Sequence, residues 1–248
     1  MVRKPRVYVI KLNRMAIILI GLLALILLAY VILTNQRVID VFNHKPNVKT
    51  IVVDPGHGGI DGGTGKRGDI LEKDINLDIA IKLKKELIVE GFNVIMTRER
   101  DESLEELSQI KASRYRRDLD ARRAIIDANR PVVYVSIHVN SSTSPSARGI
   151  KIYHYPGSED GRELAEKLAQ AIDTYLYGQF LKDESLRAEV LYEDFYILRE
   201  PKYTGILLEA GFITNPEENR LLKDEGYKGK LAYAIKKGIL EYLKEAKR

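Results

Sequence analysis

Along the chain, apolar residues first form one long uninterrupted run, Met15 to Leu33, and then break into short blocks separated by polar stretches. Thr50 to Asp54, Phe92 to Thr97, Val132 to His138, Ile150 to His154, Phe195 to Leu198 and Gly205 to Glu209 are rich in β-branched and aliphatic residues and bounded by turn formers, which predicts six strands. Val132 to His138 is the most apolar of these and is expected to lie at the centre of the sheet. Between the blocks, apolar positions recur at helical spacing. Ile75, Ile79, Leu83 and Leu87, with Ala80 beside them, predict a helix from Glu72 to Glu90, with Asp69 as its cap and Gly91 as its stop. Leu164, Leu168, Ile172 and Tyr175 predict a second helix closed by Gly178, and Tyr227 to Lys244 a last one. Leu104 to Asn129 sets Leu119, Ala121, Ile125 and Ile126 among many Arg and Asp residues, as in one long, partly exposed helix or two shorter ones. Gln179 to Asp194 carries little pattern and reads as a loop. Strands alternating with helices predict an α/β three-layer sandwich, with a mixed, mostly parallel sheet of about six strands flanked by helices.

The first run belongs to a different class. Its nineteen uncharged residues are close to the roughly 20 that a membrane-spanning helix needs, and longer than the apolar core of a cleaved signal peptide. Five cations, Arg3, Lys4, Arg6, Lys11 and Arg14, precede it with no acidic residue among them. They account for the whole formal net charge of +5, leaving 35 basic against 35 acidic residues in the rest of the chain. The charge therefore marks an N-terminal tail and gives no sign of a nucleic-acid partner. The expected organisation is a basic cytoplasmic tail (1–14), an uncleaved N-terminal transmembrane helix (15–33), a linker (34–49) and an extracytoplasmic catalytic domain (50–248) on the cell membrane. The chain has no cysteine, so this outer domain does not rely on disulfides.

Candidate chemistry gathers at strand ends. The first strand runs into Asp54-Pro55-Gly56-His57-Gly58-Gly59, a loop that presents His57; His138 closes the Val132 run; Glu209 closes Ile206-Leu207-Leu208. Polar residues placed directly after apolar strands are what a parallel sheet uses to gather a site at its carboxyl edge. Glu72, at a predicted helix start fifteen residues after His57, can reach the same loop. Two histidines and a glutamate, His57, Glu72 and His138, are the ligand set of a catalytic zinc, and Glu209 is the candidate acid/base that serves the attacking water and the departing amine. Taken singly, Gly-His-Gly is more often a turn and a strand-end glutamate more often a solvated end; their combination raises both. His44 falls in the linker, and His154 reads as structural. Asp54 is expected to bond loop amides, and Asn140 either caps its loop or contacts substrate. The glycines from 56 to 65 lack the Gly-Lys-Ser/Thr ending of a phosphate loop.

DPGHGG, LEKDINL, SIHVN and LLEAGFITN, in this order, resemble the zinc-dependent N-acetylmuramoyl-L-alanine amidases (amidase type 3) of bacterial cell walls, over about Thr50 to Leu243. The resemblance implies a six-stranded sheet flanked by helices, a Zn2+ held by His57, Glu72 and His138, and Glu209 as catalytic residue. The implied reaction is hydrolysis of the amide between N-acetylmuramic acid and the L-alanine of the peptidoglycan stem peptide. Where many members have a proline-alanine pair, this chain has Thr204-Gly205, which bears on the local substrate wall. A lone catalytic domain on an anchor, with its MTRERDESL and YRRDLDARRAIIDAN segments, looks most like the sporulation-specific amidase that prepares spore-cortex peptidoglycan for muramic-δ-lactam formation. The expected partners are peptidoglycan and the cytoplasmic membrane, with an accessory protein left open. The rival readings are a zinc peptidase acting within the stem peptide and an inactive peptidoglycan-binding scaffold. The expected substrate surface is a shallow, polar groove between the Asn140 to Gly149 loop and the Gln179 to Asp194 segment, with Asn140, Arg148 and Arg187 as contacts and the arginines suited to a carboxylate.

Overall fold

The computed structural model describes residues 13–34, 48–65 and 69–245. The chain divides into an N-terminal unit ending at Asn47 and a second unit from Val48 onward. In the first, the described element is α1 (Arg14–Thr34), whose apolar side chains from Ile17 to Leu27 are exposed. Among the described residues no helix is long and apolar enough to cross a membrane. The predicted basic tail and linker fall almost wholly outside the described residues.

The second unit contains, in order, β1 (Thr50–Pro55), α2 (Glu72–Val89), β2 (Asn93–Met96), a 3-10 turn (Glu105–Leu107), α3 (Arg114–Asn129), β3 (Val133–Asn140), β4 (Lys151–His154), α4 (Glu159–Ala171), a π-helix (Ile172–Leu181), β5 (Glu189–Tyr192), α5 (Tyr196–Arg199), β6 (Gly205–Phe212), α6 (Pro216–Lys223) and α7 (Glu225–Glu245). The six strands form one sheet of order β2-β1-β3-β6-β4-β5. β2, β1, β3 and β6 run parallel, β4 is antiparallel to β6, and β5 runs parallel to β4, so the sheet is mixed and mostly parallel as predicted. The apolar run from 132 does become a central strand, flanked on both sides by parallel neighbours.

Strand alternation divides the side chains between two unequal layers. Ile51, Val53, Val135, Ile137, Ile206 and Leu208 pack against α2, α4, the π-helix and α7, forming the main core. Val52, Tyr134 and Leu207 face the other way, onto Ile126 of α3 and onto Ile197 and Leu198 of α5. Asp54, Ser136, His138 and Glu209 share this second, thinner face by the same alternation.

Several local expectations are corrected. Asp69 does not cap α2: Leu71 is the cap residue without a side-chain bond, Thr64 and Gly62 carbonyls take the first helical N–H groups, and Asp69 pairs with Lys223 at 2.7 Å. Gly178 does not stop a helix, because α4 widens into the π-helix and continues to Leu181, ending where Lys182 adopts φ 55°. This carries Tyr177 into the core, where its hydroxyl accepts the Ile150 N–H at 2.8 Å. The 179–194 segment is not simply a loop, since it supplies β5, an edge strand whose half-exposed residues give little apolar pattern. Phe195 to Leu198 is not a strand but the entry to α5; a four-residue apolar run fits either state, and here Tyr134 Oη donates to the Ile197 carbonyl at 2.8 Å. The stretch from 104 to 129 is neither one long helix nor two: it holds the single helix α3 and a three-residue 3-10 turn before it.

Thr204-Gly205 also takes on a different meaning. Gly205 opens β6, and a Cβ there would fall 2.1 to 2.4 Å from the ring atoms of the buried Tyr134. The departure therefore concerns packing beneath the start of β6 rather than a substrate wall. Gly205→Ala is expected to lower stability by about 1–3 kcal/mol, the usual cost of overpacking. For a domain of this size that is a fall of roughly 2–12 °C in thermal midpoint, and an unchanged midpoint refutes the packing account.

Candidate active site

His57, Glu72 and His138 come together at the carboxyl end of the parallel strands. β1 ends at Pro55, and the chain stays tied to the sheet for one more residue through Gly56 N–H to the Ile137 carbonyl at 2.9 Å. It then turns at His57, a non-glycine residue with φ 60°. The loop lies directly over the His138 imidazole: a Cβ on Gly56 would stand 2.2 Å from that ring, so only glycine lets the two histidines share the space. The rings meet edge to face at 5.0 Å. Glu72, at the first turn of α2, inserts between them, with Oε1 3.1 Å from His57 Nε2 and 3.0 Å from His138 Nδ1.

One donor atom from each of the three residues lies within 4.8 Å of the others. Donors around one tetrahedral zinc at about 2.0–2.2 Å stand roughly 3.3–3.6 Å apart, so the cluster suits such an ion with small adjustments. The outer contacts suit it as well. His57 Nδ1 lies 2.8 Å from Asp61 Oδ2, which leaves Nε2 facing the cluster. Glu72 Oε2 accepts the Thr64 N–H at 2.8 Å, and its Oε1 accepts the Val139 N–H at 3.1 Å. Such contacts orient ligands and fix tautomers. They also set the charges. Burial opposes protonation of His57, but the hydrogen bonds and charges of Glu72 and Asp61 outweigh it and push its pKa up to about 9. Burial would raise Glu72, yet the two histidines hold its carboxyl far below the usual carboxylate range.

Glu209 is paired in register with His138 across β3 and β6, so the two side chains emerge from the same face on neighbouring strands, about 4.8 Å apart. Its Oε2 is buried and has no hydrogen-bond partner. Burial pushes this carboxyl up to about 7, with the Glu72 charge adding to the effect and the histidines opposing it. A carboxyl with its pKa near 7 beside the cluster is equipped to take up and release a proton at physiological pH.

The other predicted residues separate. Asn140 extends β3 beyond His138, and its Oδ1 accepts the Ser141 N–H at 2.8 Å, the loop-capping role. Arg187 is not beside the cluster: it precedes β5, two strands from β6, and donates to the Glu184 and Leu186 carbonyls, with Asp173 3.8 Å away. Arg148 lies 3.6 Å from Glu217. His154 is buried at the far end of antiparallel β4, its Nδ1 3.0 Å from the Tyr155 carbonyl, a structural role. Among the described residues Asp54 bonds no loop amide. It accepts from Thr97, Ser136 and Arg122, forming a buried ion pair at 2.7 Å. Two cavities touch His57, both on the α3 side: one of about 210 Å³ lined by Ile60, Asp61, Glu105, Arg114, Tyr115 and Asp118, and one of about 30 Å³ that also touches His138; a separate one of about 460 Å³ is lined by Gln179, Glu184 and Arg187.

Sequence reasoning passed over Arg98 and Arg122, which are almost fully buried beneath the His57 loop. Their only signal was an arginine in each of two highly charged segments, where an exposed cation is the ordinary reading.

Comparison with known proteins agrees with this geometry. Residues 51–241 match the family profile described as N-acetylmuramoyl-L-alanine amidase. The "Germination-specific N-acetylmuramoyl-L-alanine amidase" of Bacillus subtilis (strain 168) is 33% identical over 198 residues, covering 79% of this chain and 81% of the relative. Among solved structures, the CwlD amidase from Clostridioides difficile in complex with the GerS lipoprotein matches with a TM-score of 0.71 at 35% identity, covering 79% of this chain and 98% of that one. An N-acetylmuramoyl-L-alanine amidase from Clostridium difficile 630 gives 0.66 at 32% identity, covering 80% and 98%. With its motifs placed at the sheet edge as described, the chain belongs to the N-acetylmuramoyl-L-alanine amidase family.

Proposed function

We propose that the chain hydrolyses the amide between the lactyl group of N-acetylmuramic acid and the L-alanine of the peptidoglycan stem peptide, with His57, Glu72 and His138 holding one Zn2+ and Glu209 as the catalytic acid/base. The observation that carries the reading is the pairing of Glu209, a buried carboxyl with a partnerless oxygen, opposite His138 on the neighbouring strand. When bound, zinc polarises the scissile carbonyl and lowers the pKa of water to about 7. Glu209 accepts the proton of the attacking water and returns it to the L-alanine nitrogen, without which an amine leaves poorly. Asp61 and Thr64 keep His57 and Glu72 aimed at the cluster. Asn140 lies two residues beyond His138 on the same strand, and Arg187 precedes β5, two strands from β6; both are proposed as contacts for the longer parts of the substrate.

The test is digestion of purified peptidoglycan followed by mass analysis. The amidase reading requires an unsubstituted lactyl carboxylate and a free L-alanine amine; cuts within the peptide hand the assignment to a zinc peptidase, and no cut at all to a binding scaffold. A role in preparing spore-cortex peptidoglycan is supported by the relative named for germination, and a lipoprotein partner by the complex that names one for the C. difficile relative. We also propose that the Met15 to Leu33 run anchors the enzyme in the cytoplasmic membrane with its catalytic unit outside, on the strength of its nineteen uncharged residues and the five cations before it.

A further inference from the structure

Of the three residues in the metal cluster, His57 alone stands on a loop. His138 is fixed by the β3 ladder and Glu72 by α2, whereas His57 follows a Pro-Gly pair at φ 60°, a conformation that costs a residue bearing a side chain about 1–3 kcal/mol unless its surroundings impose it. What imposes it is a pair of buried guanidinium groups. Arg98, just past β2, donates from Nη2 to the Gly56 carbonyl at 3.0 Å and to the Lys73 carbonyl at 2.8 Å, and from Nε to the Pro55 carbonyl at 3.0 Å. Arg122, on α3, donates from Nη2 to the His57 carbonyl at 2.7 Å and from Nη1 to the Pro55 carbonyl at 2.8 Å.

The Gly56 carbonyl defines the peptide plane before the His57 Cα, and the His57 carbonyl defines the plane after it. Fixing the two planes fixes φ and ψ of His57, hence the direction of its Cβ and the place its Nε2 reaches. Each arginine grips one of these planes and both share Pro55. The arginines are themselves anchored outside the loop: Arg122 by Asp54 at 2.7 Å and Asp118 at 2.6 Å, Arg98 by the Arg100 and Lys73 carbonyls. Cations so deeply buried are costly to fold around, and here half of their hydrogen bonds go to three consecutive carbonyls of the one loop in the cluster.

We propose that Arg98 and Arg122 are positioning residues for the metal site: together they hold the peptide planes on either side of His57 and so set the direction from which it ligates. This rests on the zinc reading above. A lysine keeps the charge but offers a single ammonium in place of a planar fork spanning two carbonyls, so Arg→Lys isolates the gripping geometry from the charge. Arg98 is the cleaner position, because its hydrogen-bond acceptors are all backbone carbonyls and its replacement strands no carboxylate.

The experiment uses the full chain purified in detergent and compares wild type, Arg98→Lys and Arg122→Lys by zinc affinity from chelator competition, by the visible absorption spectrum of the Co2+-substituted protein, and by thermal midpoint in excess EDTA. The expected result is zinc affinity lowered about 10- to 100-fold, as for other residues that orient metal ligands, with an altered Co2+ spectrum and a metal-free midpoint within a few degrees of wild type. Affinities within about threefold of wild type with the same Co2+ spectrum overturn the proposal. So does loss of metal that occurs only together with loss of fold in EDTA for both variants, which makes the arginines structural supports. Wild-type protein that binds no zinc overturns the zinc reading itself, a result separable from the other two.

Discussion

Glu209→Gln is expected to lose turnover by about 10²- to 10⁴-fold, the usual contribution of general acid/base assistance, while keeping its metal and its fold. The amide matches the carboxyl in shape but cannot carry a proton between water and the leaving amine. In the metal-free protein burial holds the Glu209 carboxyl at about 7, and a cation gathered by its neighbours draws that value down. The acid limb of the wild-type rate profile should therefore fall at or below pH 7, with activity declining as pH drops through it, and this limb should vanish from the residual rate of the variant. Stability gives an independent check. A carboxyl whose folded pKa of about 7 lies above its ordinary 4.5 adds stability below pH 4.5 that is lost as pH rises through 7. The amide has no such loss, so Glu209→Gln should raise the metal-free thermal midpoint more at pH 8 than at pH 5. A variant keeping more than about a tenth of wild-type turnover moves the acid/base role to another residue.

Removal of the metal should abolish activity, and zinc should restore it. His57→Ala should bind zinc far more weakly than wild type, since it deletes one of three donors and a neutral imidazole is required for ligation. Because Glu72 and Asp61 hold His57 protonated up to about pH 9 in the metal-free state, uptake at pH 7.5 must displace a proton from it. Calorimetric titration in two buffers of different ionisation enthalpy should report close to one proton released per zinc from this histidine, and His57→Ala should lose that release. Full activity in protein that mass analysis finds free of metal contradicts the site assignment.

The alternation of blocks in the sequence was enough to place the sheet, its central strand and the carboxyl edge where His57, His138 and Glu209 emerge, because period-two and helical patterns follow directly from burial on one or two faces. Three of the four groups were legible for the same reason: His57, His138 and Glu209 each follow an apolar strand, and a parallel sheet brings those ends together, while Glu72 stands at a helix start. Elements that bury little were not legible. β5 is a half-exposed edge strand, and α5 is a four-residue run whose helical form is decided by the packing of Ile197 and Leu198 against Tyr134. Nor could pattern reveal that Arg187 stands two strands away from Glu209, at the start of β5 with β4 between them.

The sequence by itself pointed to His57, Glu72 and His138 as one group and to Glu209 beside it, because such readings depend on residue type at a strand end or helix start. The tertiary structure decided how His57 is aimed. That depends on hydrogen bonds from Arg98 and Arg122 across 42 and 65 positions of chain, and a charged residue in a charged segment reads as solvent-exposed until the fold shows that its guanidinium is buried against two carbonyls of the loop.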